Sequence, residues 1–289
     1  MITLDALRCF CAVIELGSFR LAADRVHRSQ PAVSQQVKAL EGELGQTLLD
    51  RKTKAPTPAG AVVYERGVSL LRGADGLSRE LADFDETVQH ELRVGTSDTN
   101  ALYFLPAYVK AFAKKMPRTR LVVVSRSSED VGEGIERGEL DLGIVTFPVS
   151  REGLETLELF RQSFTLIVPR KHALSNRKRI SLVQLRDERF VLLEEATRTG
   201  SLLRDHFAEQ NFHPHVALDS GSFEVIKRYV REGIGLAFVP EMVVGKRDAG
   251  SLVKVNVPGL PEIHIGAIWR KGTYRMKTAA AFVELITSG

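Results

Sequence analysis

Cysteine, methionine and tryptophan are scarce in this chain, with two, four and one respectively among 289 residues. Cys9 and Cys11 lie two residues apart on one helical stretch, cannot close a disulfide there, and have no third cysteine to pair with. That excludes a disulfide scaffold and leads us to expect thiols in a reducing compartment. Long apolar runs are missing too. Nothing approaches about eighteen consecutive apolar residues, so neither a membrane span nor a membrane partner is expected. The opening MITLDALRCFCAVIEL has an Asp at position 5 and no basic segment ahead of an apolar run. It reads as an amphipathic helix and not as a signal peptide, so the expected location is the cytoplasm.

Catalytic signatures are also absent. There is no G-x-x-x-x-G-K-S/T, no G-x-S-x-G and no H-E-x-x-H. Gly233-Ile-Gly235 lacks a third glycine and falls in a strand pattern, where close packing accounts for it. His213 and His215, with Glu209 upstream, have loose spacing and no evident further ligand for a metal. No enzyme, cofactor or metal site is expected. Residues 91–289 alone would suit a plain solute-binding protein, but the first 90 residues and the missing export signal do not.

What is present is an ordinary globular composition, 44% apolar and 26% charged, in a chain long enough for two or three domains. The net charge is +4, unevenly spread. Residues 1–60 hold eight Lys/Arg against six Asp/Glu, and residues 61–91 hold three against seven. A basic head before an acidic spacer suits a module that meets phosphate.

The first sixty residues read as helical. Leu4, Leu7, Cys11 and Ile14 form a stripe that Gly17 ends; Ser18 caps a second helix with inner face Phe19, Ala22, Ala23 and Val26. Ser29 caps a third, with Pro31 in its first turn and Gly45 at its end. LLDRKTKAPT follows as a short extended hairpin. Three short helices and a small ribbon make a winged helix-turn-helix pattern. Thr57 and Pro58 then start a long helix. On it Val63, Gly67, Leu70, Ala74, Leu77, Leu81, Phe84 and Val88 recur at alternating steps of four and three, the seam of a coiled coil between two copies. Gly60, Gly67, Gly73 and Gly76 weaken that helix.

From residue 91 strands alternate with helices: LRVGTS, LVVVS, LDLGIV, FTLIVP, FVLL, HVALD, IGLAFV and IHIGAIW, with helical runs at 101–114, 128–137, 201–210, 222–232 and 276–287. This predicts a parallel sheet flanked by helices, divided over two α/β lobes.

On a helical wheel started at Gln30, Val33, Val37, Leu40 and Leu44 cluster between about 280° and 340°, a core stripe. Gln30, Ser34, Lys38 and Gln35 spread from 0° to about 140°, a face of amides, a hydroxyl and one cation, read as free of acid. Gln pairs with adenine, Lys reaches guanine, and Ser serves base or phosphate. Taken alone, this face equally suits a solvated surface. Its surroundings favour DNA: Arg28 precedes the helix, and Arg51, Lys52 and Lys54 lie on the hairpin beside it.

GSFRLAADRVHRSQPAVSQQVKALEGELGQTLLDR followed by TPAG resembles the N-terminal signature of the LysR-type transcriptional regulators. The order of parts is similar over the whole chain, with weaker C-terminal matches in ERGELDLGIV and GIGLAFVP. The resemblance implies an α plus α/β protein: a winged helix-turn-helix DNA-binding domain at 1–58, a linker (dimerisation) helix at 59–90, and a two-lobed effector domain at 91–289 resembling periplasmic binding proteins. It further implies binding to double-stranded promoter DNA and a homodimer or homotetramer joined through linker helix and effector domain. A small-molecule co-inducer and contact with RNA polymerase complete the expected partners. Gln30, Pro31, Ser34 and Gln35 become the groove-facing positions, with Ser29 at the helix start and Lys38 near the backbone. Two departures stand out: Gln35 occupies a position where many members have Arg, and the wing is about two residues short.

SFTLIVP and IHIGAIW are the expected crossing strands, giving lobe I as 91–162 plus 269–289 and lobe II as 163–268. Ser97, Thr99 and Asn100 are matched family positions at a strand-to-helix change. Thr146 ends LDLGIV, on the side where open α/β sheets bind ligands. Thr197, Arg198, Thr199 and Gly200 precede one helix, and Ser222 and Phe223 open another. Each hydroxyl also suits a plain helix cap. Together they suggest a small polar ligand between the lobes, expected to be an anion, although Asp98 opposes a high negative charge.

Overall fold

Left-handed glycines and hydroxyl caps cut the first third of the chain into helices. The structure is a computed structural model that describes residues 1–50, 52–82, 90–272 and 276–288, in two units, Met1–Val88 and Gln89–Gly289. In the first unit α1 (Leu4–Leu16) is capped by Thr3, whose hydroxyl accepts from Ala6 N at 3.2 Å, and ends at Gly17 with φ +59°. Ser18 caps α2 (Phe19–Arg25), and Ser29 caps α3 (Gln30–Leu44), which ends at Gly45 with φ +63°.

The stripe expected on α1 is too narrow. Ala6, Leu7, Cys9, Phe10, Cys11, Ala12 and Val13 are all buried, while Leu4 is exposed. The reason is that α1 packs against α2, α3 and α4 (Pro58–Ala82) together, so no single face serves. The stripe on α3 does face inward: Val33, Val37 and Leu40 are buried and Leu44 is partly so.

The α3 polar arc does contain an acid. Glu41, at about 20° on the same wheel, is buried, and its Oε1 accepts from Leu48 N at 2.9 Å and Leu49 N at 3.3 Å. Spent on the root of the hairpin, it is not offered to solvent. The hairpin is short, closed by an antiparallel bridge between Leu49 and Pro56. At its turn Asp50 accepts from Lys52 N at 2.8 Å and Thr53 N at 2.7 Å, and these bonds, Thr53's first, hold its carboxyl below the usual range.

Thr57 starts α4 by accepting from Gly60 N at 3.0 Å. Glycine at 60 is a packing requirement, because a Cβ there would lie 2.0 Å from Leu48 O. The expected seam divides. Gly67 packs on Leu7 and Cys11, and Val63 joins the N-terminal core beside Tyr64, Val68 and Leu71. Leu70 and Leu77 are 59% exposed. Phe84 and Val88 lie outside the described residues.

The second unit holds β1 (His90–Thr96), a π-helical turn Asn100–Phe104 running into α5 (Leu105–Lys115), β2 (Thr119–Ser125), α6 (Ser128–Glu136), β3 (Leu142–Thr146) and β4 (Leu154–Pro169). After these come β5 (Arg189–Leu193), α7 (Arg198–Glu209), β6 (His215–Ser220), α8 (Phe223–Arg231), β7 (Ala237–Pro240), β8 (Leu252–Val255), β9 (Glu262–Arg270) and α9 (Lys277–Thr287). β2, β1 and β3 are parallel, as are β5 and β6. The expected parallel sheet holds for these strands and not beyond them, because β9 pairs antiparallel with β3 and β4, and β7 and β8 antiparallel with β4.

β4 is the long connector: Leu154–Ser163 pair with β9, and Phe164–Pro169 with β7 and β8. Its SFTLIVP portion therefore runs from one sheet region into the other. IHIGAIW does not cross. The whole of β9 lies on β3 and the first part of β4, so the chain has returned before Glu262 and not at 269.

Candidate nucleic-acid interface and effector cleft

Capping and core packing between them decide what α3 presents outward. With Val33, Val37 and Leu40 inward, Gln30, Pro31, Gln35 and Lys38 are exposed and Ser34 is half-buried. Gln30, Gln35 and Lys38 have no protein hydrogen-bond or ionic partner among the described residues, which leaves their polar groups to an outside partner. Ser29 spends its hydroxyl on the helix start. Arg28 is exposed but engaged, its Nη2 lying 2.9 Å from Asp5 Oδ2. On the hairpin Lys52 is exposed, and Lys54, at φ +61°, sets its ammonium 5.5 Å from the centre of the Phe19 ring. Arg51 lies outside the described residues.

In the second unit, a cleft of about 280 Å³ opens where several strands end and helices begin. Ser97, Thr99, Thr146, Thr197, Arg198 and Thr199 line it. Four other expected residues do not. Asn100 is buried beneath, donating from Nδ2 to Ile144 O at 3.4 Å. At Gly200 a Cβ would sit 2.0 Å from Glu194 O, so its part is to let α7 approach that loop. Phe223 is in the apolar core, and Ser222 is off the lining while its neighbour Gly221 is on it.

The cleft also includes Ser125, Arg126, Ser127 and Ser128, together with Leu193 and Asp98. The stretch at 125–128 was missed. Its signal was the one used elsewhere: LVVVS is a strand end, and RSS leads into α6, where Ser127 Oγ accepts from Asp130 N at 3.1 Å. Ser128 Oγ in turn accepts from Thr146 N at 3.2 Å, tying two cleft loops together. Thr197 caps α7, accepting from Gly200 N at 3.0 Å.

The charges are mixed. Asp98 accepts from Ser125 Oγ, and Arg126 is paired with Glu139 at 2.8 Å. Arg198 has no carboxylate partner among the described residues. Two helix N-termini, those of α6 and α7, meet the cleft and favour negative charge there.

Residues 4–61 match the family model for the bacterial regulatory helix-turn-helix protein, lysR family, and residues 85–289 match that of the LysR substrate binding domain. The chain belongs to the LysR family. It is a LysR-type DNA-binding transcriptional regulator with an effector-binding domain. The chain is 29% identical over 275 residues to the Hca operon transcriptional activator HcaR of Escherichia coli, covering 92% of this chain and 91% of that one. The HTH-type transcriptional regulator YcgK of Bacillus subtilis is 27% identical over 288 residues, covering 93% and 89%.

Among solved structures, a full-length OxyR variant from Pseudomonas aeruginosa aligns at TM-score 0.79 and 24% identity, covering 99% of this chain and 95% of that one. Full-length CbnR in complex with its target DNA aligns at TM-score 0.70 and 24% identity, covering 99% of each chain. These likenesses speak for the fold. Among the described residues no helix is long and apolar enough to cross a membrane, and no group of His, Cys, Asp and Glu could hold a metal ion.

Proposed function

We propose that this LysR-type regulator reads promoter DNA with α3 and is modulated by a small anionic metabolite held in the cleft. Gln30, Ser34 and Gln35 make the base contacts on this reading, and Lys38, Lys52 and Lys54 the phosphate contacts. Arg28 reaches phosphate only by leaving Asp5. The arrangement of α3 supports this, since its outward amides and ammonium are unspent.

For the cleft, the carrying observation is Arg198. A cation with no carboxylate partner among the described residues, beside two helix N-termini and a ring of hydroxyls, supports a carboxylate-bearing ligand. Asp98 and the Arg126–Glu139 pair keep the net charge modest, which favours one or two carboxylates over a polyphosphate. The cleft walls come from two lobes, which we draw as 91–162 with the C-terminal stretch from 262, and 163–261. Oligomerisation through α4 is supported by Leu70 and Leu77, both open on its surface. Contact with RNA polymerase at the promoter and action in the cytoplasm belong to the same reading.

Titration calorimetry with a panel of organic acids tests the cleft. At least one acid should give heat, and Arg198→Ala should weaken that acid about tenfold or more. No heat from any acid would overturn the anionic reading.

A further inference from the structure

Tyr103 belongs by its backbone to one side of the cleft and by its side chain to the other. It sits on the π-helical turn Asn100–Phe104, one turn after the cleft residue Thr99, in the segment between β1 and β2. Such turns are rare and often mark functional positions. Its ring packs against the core formed by Ile167, Val191, Phe223, Ile226 and Val239, which belongs to the far wall. Its hydroxyl donates to the carboxylate of Glu224, one turn after the cleft residue Gly221. The ring also stands 5.1 Å from the Lys227 ammonium.

The far anchor is rigid. The Lys227 side chain is 4% exposed, and its Nζ donates to Val243 O at 3.0 Å and pairs with Asp248 at 3.3 Å and Glu224 at 2.7 Å. Asp248 also accepts from Gly245 N at 2.9 Å and pairs with Arg231. Two cations, Lys227 and Arg231, meet two carboxylates, Glu224 and Asp248, there, and the buried Lys227 nitrogen stands against the ring. Tyr103 joins this anchor through its ring and its hydroxyl.

We propose that Tyr103 is an interlobe latch, holding the Ser97–Asn100 loop and the start of α8 at a fixed separation through Glu224 and Lys227. Any change in lobe angle must stretch or release this contact. The latch therefore sets the cost of opening or closing the cleft. Its part in effector signalling rests on the cleft being the effector site; its mechanical role does not.

Hydrogen–deuterium exchange on the full-length protein, with no ligand added, tests it using Tyr103→Phe and Tyr103→Ala. Loss of the hydroxyl alone should speed exchange at residues 97–104 and 221–227 together, by roughly tenfold, with β1 and β5 unchanged. Loss of the ring should enlarge the same paired response. A rise confined to 97–104, a rise spread evenly through both lobes, or no change in either variant would overturn the latch. Because no effector is present, a failed search for an anionic ligand leaves this result untouched.

Discussion

The two units deploy polar side chains in opposite ways. On α3, Gln30, Gln35 and Lys38 project from a helix whose other face is core, and no side-chain partner answers them among the described residues. In the effector unit the polar groups line a concavity, and most are already bonded: Ser127 and Thr197 cap helices, Ser128 holds Thr146, and Asp98 holds Ser125. A groove in DNA is wide enough to admit a whole helix, so reading heads can protrude. A small ligand must be surrounded, so its site is built from loop ends whose geometry has to be fixed first.

The sharpest way to break that comparison is to remove one core and watch the other. Phe10 is fully buried in the N-terminal unit, and Phe10→Ala should cost ~3–5 kcal/mol. Scanning calorimetry should find one transition lowered and DNA retardation lost, while the transition of the effector unit stays. A common fall of both transitions would mean that the units do not melt separately.

Acid should act on the effector unit through Asp248. Burial alone would raise its carboxyl, but the bond from Gly245 and the charges of Lys227 and Arg231 outweigh that and hold it below the ordinary range. The folded carboxyl thus ionises at lower pH than the unfolded one. Its stabilisation is complete above about pH 4 and is lost as pH falls through the lower folded value. Asp248→Asn should flatten that acid loss and cost about 3 kcal/mol at neutral pH, by leaving Arg231 and Lys227 short of counter-charge. Thermal melts at a series of pH values check both.

A smaller effect sharpens the distinction within the DNA-binding face. Lys52 is exposed on the hairpin, and Lys52→Ala should weaken all sequences alike while reducing the salt slope by about one. Retardation on specific and random duplexes over a salt series measures it. An effect on the specific duplex alone would give Lys52 a base contact.

Legibility in the sequence followed how local the determining forces were. Ser18, Ser29, Gly17 and Gly45 act within a turn of themselves, so the helices of the first unit could be drawn from them directly. The outward face of α3 followed from its own periodicity. Glu41 did not, because its partners are the backbone of Leu48 and Leu49, beyond the helix. Val63 and Gly67 matched a seam between copies, yet α1 takes them first.

In the effector unit the strand-end rule pointed to the loops at Ser97, Thr146 and Thr197 but was not applied at Ser125–Ser128, where the strand LVVVS gives way to the helical run from 128. The first part of β4 was invisible because residues 155–158 are exposed and carry no apolar alternation. The four-residue β8 was equally hidden. Antiparallel pairing of β9 depends on contacts distant in the chain, and Phe223 illustrates the same limit: the residue after a capping serine can as easily fill a core as line a site.

Selection of bound duplexes from a random DNA pool, run in parallel on the wild type and Gln35→Ala, tests most directly the claim that α3 reads bases. The wild type should enrich dyad-related half-sites, and the variant should enrich the same motif with one position in each half-site relaxed, a loss of ~1–3 kcal/mol there. An unchanged motif in the variant, or wild-type binding with no enrichment, would contradict the account.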